Sequence, residues 1–268
     1  MQKRTDYNGV TYFYSEGLYP IRHGFSTRQG GLSKLDYTKS LNLGFYRGDK
    51  DIIVKKNIER FCEAVAIDAE ELIIMPQIHS TNVIEVGRDK CGHGIYSPAT
   101  FEGDALVSCQ RGTALGVRVA DCVPILMADS GAGVIAAVHA GWRGTVGNIV
   151  GKTVEKMCYL GASAEDIKVA IGPHISMDNY EVGEEVARAV LDVVGEANLT
   201  FSHLKTTATP GKFLCGLGDV NKTLLIRAGI KEDNIDLCTE CTYDNKDLFY
   251  SHRRMGEKRG TMMGIIAI

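Results

Sequence analysis

The chain has 268 residues, long enough for one large domain or two small ones with a buried core. A formal net charge of −3, with no block of lysines and arginines, argues against a nucleic-acid partner, and no apolar stretch approaches the roughly eighteen residues of a membrane span. The polar start MQKRTDYNGV lacks the apolar region of a secretory leader. A cytoplasmic protein is therefore expected, whose eight scattered cysteines are thiols serving as core residues, metal ligands or nucleophiles.

Residues 10–14 (VTYFY) and 23–27 (HGFST) have strand composition, and a glycine-punctuated loop follows to position 40. That loop holds Arg28, and the next holds Asn42, Arg47 and Asp49. Binding residues and plain solvated turns are both common in such loops. Asp49 or Asp51 can cap a helix to about Ala66 whose apolar face is Ile52, Ile53, Ile58, Phe61, Cys62 and Val65. Strands are predicted at about 72–75, 82–86, 104–108, 114–119, 123–128 and 133–139, with 87–103 a surface excursion. Helices are predicted over 145–160, 180–195 and 217–228, and strands over 167–171, "NIDLC" and "GTMMGIIAI". Strands outnumber helices and come in consecutive runs, which predicts a mixed α+β architecture with helices packed outside sheets. No repeat or linker-like stretch divides the chain, so one domain over 1–268 is expected.

Three apolar runs end in metal-competent side chains. "IIMPQIHSTNV" carries Gln77 and His79, "GVRVADCVPILMAD" carries Asp121 and Cys122, and "AAVHAGWRG" carries His139. Cys122 and His139 lie 17 residues apart, across a span that a hairpin could fold back on itself. A thiolate and two neutral imidazoles make a good zinc set with a fourth position left for water or substrate. The spacing alone is no zinc motif, and a strand cysteine serves equally well as a small core residue. The lone CxxC, Cys238 to Cys241, has no matching second pair, and His23, His93, His174, His203 and His252 read as structural histidines.

The turn after His139 has its own logic. Gly141 and Gly144 permit close backbone approach, the segment beyond reads as a helix, and Arg143 adds a fork suited to phosphate or carboxylate. Trp142 as a core anchor and Arg143 as a surface charge is the plainer alternative.

Taken in order, "HGFSTRQGG", "SLNLG", "QIHS", "GDALVS", "ADCVPILMAD", "AAVHAGWRG", "AIGPHIS", "YEVG" and "FYSHRR" resemble the laccase-domain family. This family is also called the multicopper polyphenol oxidoreductases, and its members are mostly described as purine nucleoside phosphorylases. The resemblance covers nearly the whole chain. It implies a layered α/β/β/α sandwich with mixed sheets, related to a toxin-deamidase-like fold. It also implies a metal site of two His and one Cys, which falls on His79, Cys122 and His139. The activities implied are phosphorolysis of adenosine, inosine, guanosine and methylthioadenosine, adenosine deamination and phenol oxidation, with peptidoglycan-precursor editing in some members. "FYSHRR" places His252 where a Tyr is common, which leaves Arg253 as a candidate contact and the role of His252 open.

The laccase label can be tested on the residues. Type 1 and trinuclear copper centres together consume around ten histidines, typically in His-x-His pairs, as is general for that family; this chain has seven His and no such pair. A mononuclear site that takes zinc, and copper adventitiously, fits better. The expected function is a zinc-dependent purine nucleoside enzyme. Its candidate substrate contacts are Arg28, Asn42, Gln77, Arg143 and Arg253, with phosphate as co-substrate. Asp121 is a candidate acid/base or a partner that steadies Cys122, structural pairing being its alternative. Two other readings are Cys122 as the nucleophile of an amidase with His139 as base, and a non-catalytic protein with a structural metal.

Overall fold

In chain order the secondary structure of the computed structural model, which describes residues 1–196 and 199–268, begins with β1 (Gln2–Thr5), β2 (Thr11–Tyr14), β3 (Arg22–Ser26), α1 (Asp51–Ala64), β4 (Leu72–Ile73) and β5 (Val83–Glu85). Then follow β6 (Ala105–Ser108), β7 (Ala114–Val119), β8 (Val123–Asp129), β9 (Val134–Ala140), α2 (Trp142–Val146), α3 (Ile149–Tyr159) and β10 (Lys168–Ile171). The remainder is β11 (Glu181–Gly183), α4 (Glu184–Val194), β12 (Leu204–Thr206), β13 (Lys212–Cys215), α5 (Leu217–Arg227), β14 (Ile235–Leu237), α6 (His252–Met255) and β15 (Met262–Ala267).

Two six-stranded mixed sheets carry the fold, one ordered β1-β2-β3-β15-β7-β4 and the other β14-β10-β8-β9-β6-β5. The small sheet β11-β13-β12 stands apart from them. Phe25, Leu115 and Val117 of the first sheet meet Leu106, Leu126, Ile135 and Ala137 of the second in one apolar layer. On the outer face of the second sheet, α3 and α5 pack Val154, Met157, Val220 and Leu224 onto Ile125, Met127, Val134 and Val138. On the outer face of the first, α1 buries Val54, Ile58 and Phe61 against Leu72 and Ile265. The result is an α+β sandwich layered α/β/β/α, in which β8, β9 and β15 are buried along their whole length and read as near-continuous apolar runs.

Strand parity decides where the functional side chains go. In β9, Val134, Ala136, Val138 and Ala140 face the helices, while Ile135 and Ala137 face the other sheet. His139 has the parity of the inter-sheet layer and arrives at its open end. β8 and β9 pair antiparallel with Val123 opposite Ala140 and Pro124 opposite His139. Cys122, one residue before β8, is therefore a diagonal neighbour of His139 on the same face.

Several sequence expectations need correction. The helix expected over 145–160 is two helices, because Asn148 takes a left-handed backbone (φ 57°) after Gly147 and its side chain caps the second one through the Gly151 N–H. Residues 180–195 begin with the strand β11, not a helix. Neither Asp49 nor Asp51 caps α1: Lys50 occupies the cap without a side-chain bond, and Asp49 instead accepts from Ser33 and Asn42. Ile52 is 55% exposed and lies off the apolar face. The excursion 87–103 folds inward at Ile95, which packs with the α1 cluster.

Candidate metal centre and arginine-lined cleft

His79, Cys122 and His139 converge at the open end of the inter-sheet layer. Their nearest ligand atoms all lie within 4.8 Å of one another. The His79 and His139 rings meet edge to face, with centroids 4.9 Å apart. Gly141 leaves room for the cluster, since a Cβ on it would approach His79 Cδ2 to 3.0 Å and Cys122 Sγ to 3.3 Å and push on both side chains.

One buried carboxylate arranges both histidines. Asp104, at the head of β6 and fully buried, accepts from His139 Nδ1 at 2.8 Å, which turns the other edge of that ring toward Cys122. The same carboxylate accepts the backbone N–H groups of His79 (3.0 Å) and Ser80 (2.6 Å) and the Ser80 hydroxyl (2.8 Å). These bonds pin the loop in which His79 holds a left-handed backbone at φ 57°. Burial alone would raise the Asp104 carboxyl, but the bonds from His139 and Ser80 outweigh it and hold the group at about 2. Burial also works against the charged forms of Cys122 and His139. Each is nevertheless stabilised by the other, so the thiol is held below its ordinary value and the imidazole above its own.

The donor set fits a metal ion: one thiol already disposed to ionise and two imidazoles, one with its tautomer fixed by a carboxylate. Zinc suits two nitrogens and one sulfur, and such a set leaves a fourth position open.

Beside the triad lies a cleft of about 500 Å³ whose lining includes Arg47, Gln77, Arg118, Arg259 and Thr261 together with His79, Cys122 and His139. It adjoins a second compartment of about 440 Å³, walled by Phe45, Met75, Ile95 and Tyr96 with Asp51 and Lys55. Phe45, Tyr46, Pro76 and Arg118 border both. Tyr46, at φ 60° and 94% exposed, stands at the junction.

Three guanidinium groups meet in this cleft. Arg118 interrupts the apolar strand β7, and its side chain makes a single hydrogen bond, to the Met75 carbonyl at 3.0 Å. Burial and then the neighbouring charge of Arg47 lower Arg118 to about 10, and the same two causes lower Arg259. Arg259 Nε is buried without a partner. The lining holds three guanidinium groups and no carboxylate among the described residues, so this is a positive cleft short of counter-charge.

The sequence candidates fall into two groups. Gln77 lines the cleft, but both ends of its amide are bonded to the Arg118 backbone, at 2.7 and 2.8 Å. Asn42 is buried, and its amide bonds Asp49, Gly44 and the Thr261 N–H, which shapes the cleft wall from behind. Asp121 is buried at φ 93°; its carboxylate accepts from Thr242, Ser251 and the Arg253 N–H and so clasps the start of α6. Arg28 bonds the Lys39 and Lys246 carbonyls and lies over Tyr250. Arg253 bonds the Glu181 carbonyl and lies over Tyr180. Arg143 is exposed and stacks on Trp142 at 4.3 Å, on a helix of only five residues. Arg28, Arg143 and Arg253 are not among the residues lining the cleft.

Sequence reasoning missed Asp104, Arg118 and Arg259. Two of them left a trace. Arg118 is a charge inside an apolar strand, and Asp104 stands at the head of the quoted block "GDALVS".

Comparisons with known proteins follow the same outline. A family model described as multi-copper polyphenol oxidoreductase laccase matches residues 22–268. A Corynebacterium glutamicum protein named purine nucleoside phosphorylase is 41% identical over 250 residues, covering 92% of this chain and 94% of that one. Adenosine deaminase RL5, of an unknown prokaryotic organism, is 36% identical over 244 residues, covering 90% and 92%. The crystal structure of YlmD from Geobacillus stearothermophilus superposes with a TM-score of 0.91 at 29% identity, covering 99% of this chain and 98% of that one.

Proposed function

This chain belongs to the multi-copper polyphenol oxidoreductase laccase family, and from that premise we propose that it is a zinc-dependent purine nucleoside phosphorylase. The observation that carries the reading is one cleft that joins a mononuclear His₂Cys donor set to three arginines short of counter-charge. Adenosine, inosine, guanosine and methylthioadenosine are the proposed substrates, with adenosine deamination as a side activity in keeping with the RL5 relative. Eight cysteines without a disulfide are in keeping with a cytoplasmic setting for the single domain we infer.

In phosphorolysis a phosphate oxygen bonds to C1′ of the ribose, the C1′–N9 bond breaks, and the purine leaves with the electron pair and takes up a proton. In this reading Arg118 and Arg259 hold the phosphate, and Arg47 adds charge at the rim. Gln77 fixes the backbone of Arg118 and Asn42 that of Thr261, so neither amide needs to reach the nucleoside to shape its seat. Asp104 steadies His79 through its backbone and His139 through its ring. His79, Cys122 and His139 would hold the zinc, which would supply Lewis acidity and water activation, the chemistry that deamination at C6 needs. Copper at the same three donors would be adventitious.

The test is turnover of inosine and adenosine with and without phosphate, on protein of measured metal content. Phosphate-dependent release of hypoxanthine by zinc-loaded protein is expected. Full inosine cleavage by zinc-free protein would sink the metal's role, and ammonia release from adenosine without any phosphorolysis would leave deamination as the activity.

A second reading has its own observation: Cys122, His139 and Asp104 also stand in the order of a nucleophile, a base and an orienting acid. An amidase acting on a cell-wall precursor would use them so. Covalent capture of Cys122 by an acyl analogue, in protein without metal, would favour it.

A further inference from the structure

No carboxylate lines the arginine end of the cleft, but one stands at its rim. Glu257 places Oε2 3.2 Å from Arg47 Nη1 and 3.7 Å from Arg259 Nη1, and Oε1 3.8 Å from His252 Nδ1. Its side chain is 79% exposed, so it is held by charge and not by packing. The segment that carries it starts at α6, whose first turn is clasped by Asp121. Glu257 is thus delivered to the rim by a fixed anchor while its carboxylate stays in water.

Resting on the phosphorylase reading of this cleft, we propose that Glu257 determines which anions the cleft accepts. At the arginine end three guanidinium charges face one carboxylate, so Glu257 supplies the negative charge that an anion meets there. A more highly charged anion, such as pyrophosphate or the polyphosphate of a nucleotide, must bring its extra charge up against Glu257. The carboxylate therefore works as a repulsive element, which favours free phosphate and unphosphorylated nucleosides over phosphorylated ones. The charge at the metal end is the same for every anion and every rim variant, so it does not alter the comparison between variants. Asp51 and Lys55 in the adjoining compartment have opposite signs and offset each other.

The experiment measures the affinity of inorganic phosphate and of pyrophosphate for the zinc-loaded full chain by calorimetry. Metal content is assayed before and after, because pyrophosphate binds zinc. Glu257→Gln keeps the shape of the side chain and removes its charge, and Glu257→Asp keeps the charge. In Glu257→Gln the preference for pyrophosphate over phosphate should rise on the order of five-fold, the effect of about one unit charge at 4 Å in water-like surroundings. Glu257→Asp should keep the wild-type ratio. A merely structural role would shift both anions together and leave the ratio alone. An unchanged ratio in Glu257→Gln, with both anions bound, overturns the proposal and spares the phosphorylase reading. If wild-type protein binds neither anion, the phosphate role of the cleft falls and the proposal with it.

Discussion

The two ends of the cleft are built on opposite plans. At the donor end the two histidines are braced beforehand: Asp104 alone accepts from His139 Nδ1, the His79 and Ser80 N–H groups and the Ser80 hydroxyl. At the arginine end the groups are left wanting, with one bond on the Arg118 guanidinium and none on Arg259 Nε. Donors that must hold a metal gain from being fixed beforehand, because any loose ligand weakens the site. Charges that must receive an anion gain from being unsatisfied beforehand, because the incoming ligand then supplies what the fold withheld. Such under-satisfaction costs stability, a trade common at functional sites.

The largest effect is expected at the metal end. Cys122→Ala removes the one thiolate of the donor set, and both zinc content and nucleoside turnover should fall to background. Metal analysis beside an inosine assay checks this; retained zinc in the variant would mean that the ion is held elsewhere.

Next is Asp104→Ala. It frees the His139 tautomer and removes the shared acceptor of the part-buried His79 and Ser80 N–H groups. Zinc affinity should fall about 10- to 100-fold, and stability by about 1–3 kcal/mol, as for donors that lose their acceptor. Competition with a zinc chelator and a denaturant melt measure the two. A variant that kept its zinc affinity would show that the two imidazoles need no shared anchor, and the contrast between the ends would collapse.

Arg118→Gln tests the other plan. The Arg118 backbone stays bonded to Gln77, so the wall of the cleft should persist. The KM for phosphate should rise on the order of ten-fold, as for loss of one charged contact. The melting temperature should not fall, because a like charge beside Arg47 has been removed. A clear drop in melting temperature would make Arg118 a structural residue, and the cleft would lose its claim to be under-satisfied by design.

The two ends were also unequally legible in the sequence. Cys122 and His139 belong to adjacent strands of one antiparallel pair, so alternation and a 17-residue spacing already bring them near each other. The mixed α+β architecture with helices outside sheets follows from the consecutive apolar runs, whereas the α/β/β/α layering came only with the family resemblance. Asp104 has no such signature, since an acid before an apolar strand is common and its role arises only when the His79 loop folds over it. Arg47, Arg118 and Arg259 come from a loop, a strand and a second loop with no shared pattern, and only the tertiary fold unites them. The helix break at Gly147 and Asn148 was readable in principle, because Asn after Gly favours the left-handed turn that stops α2.

The smallest effect is expected at Arg143, which the sequence offered as an anion fork. Its guanidinium stacks on Trp142 and points along an exposed turn, and the five-residue α2 gives it no long helix dipole to add to. Arg143→Ala should change the phosphate KM less than two-fold. The lost stacking on Trp142 should cost about 0.5–1 kcal/mol, the range for an exposed cation–π pair. Phosphate titration of the initial rate, run beside Arg118→Gln, makes the comparison direct. If Arg143→Ala raised the KM as much as Arg118→Gln, the anion would sit at the head of α2 and not among the three arginines. The contrast between a braced donor end and an unsatisfied arginine end would then have to be redrawn around His139 alone.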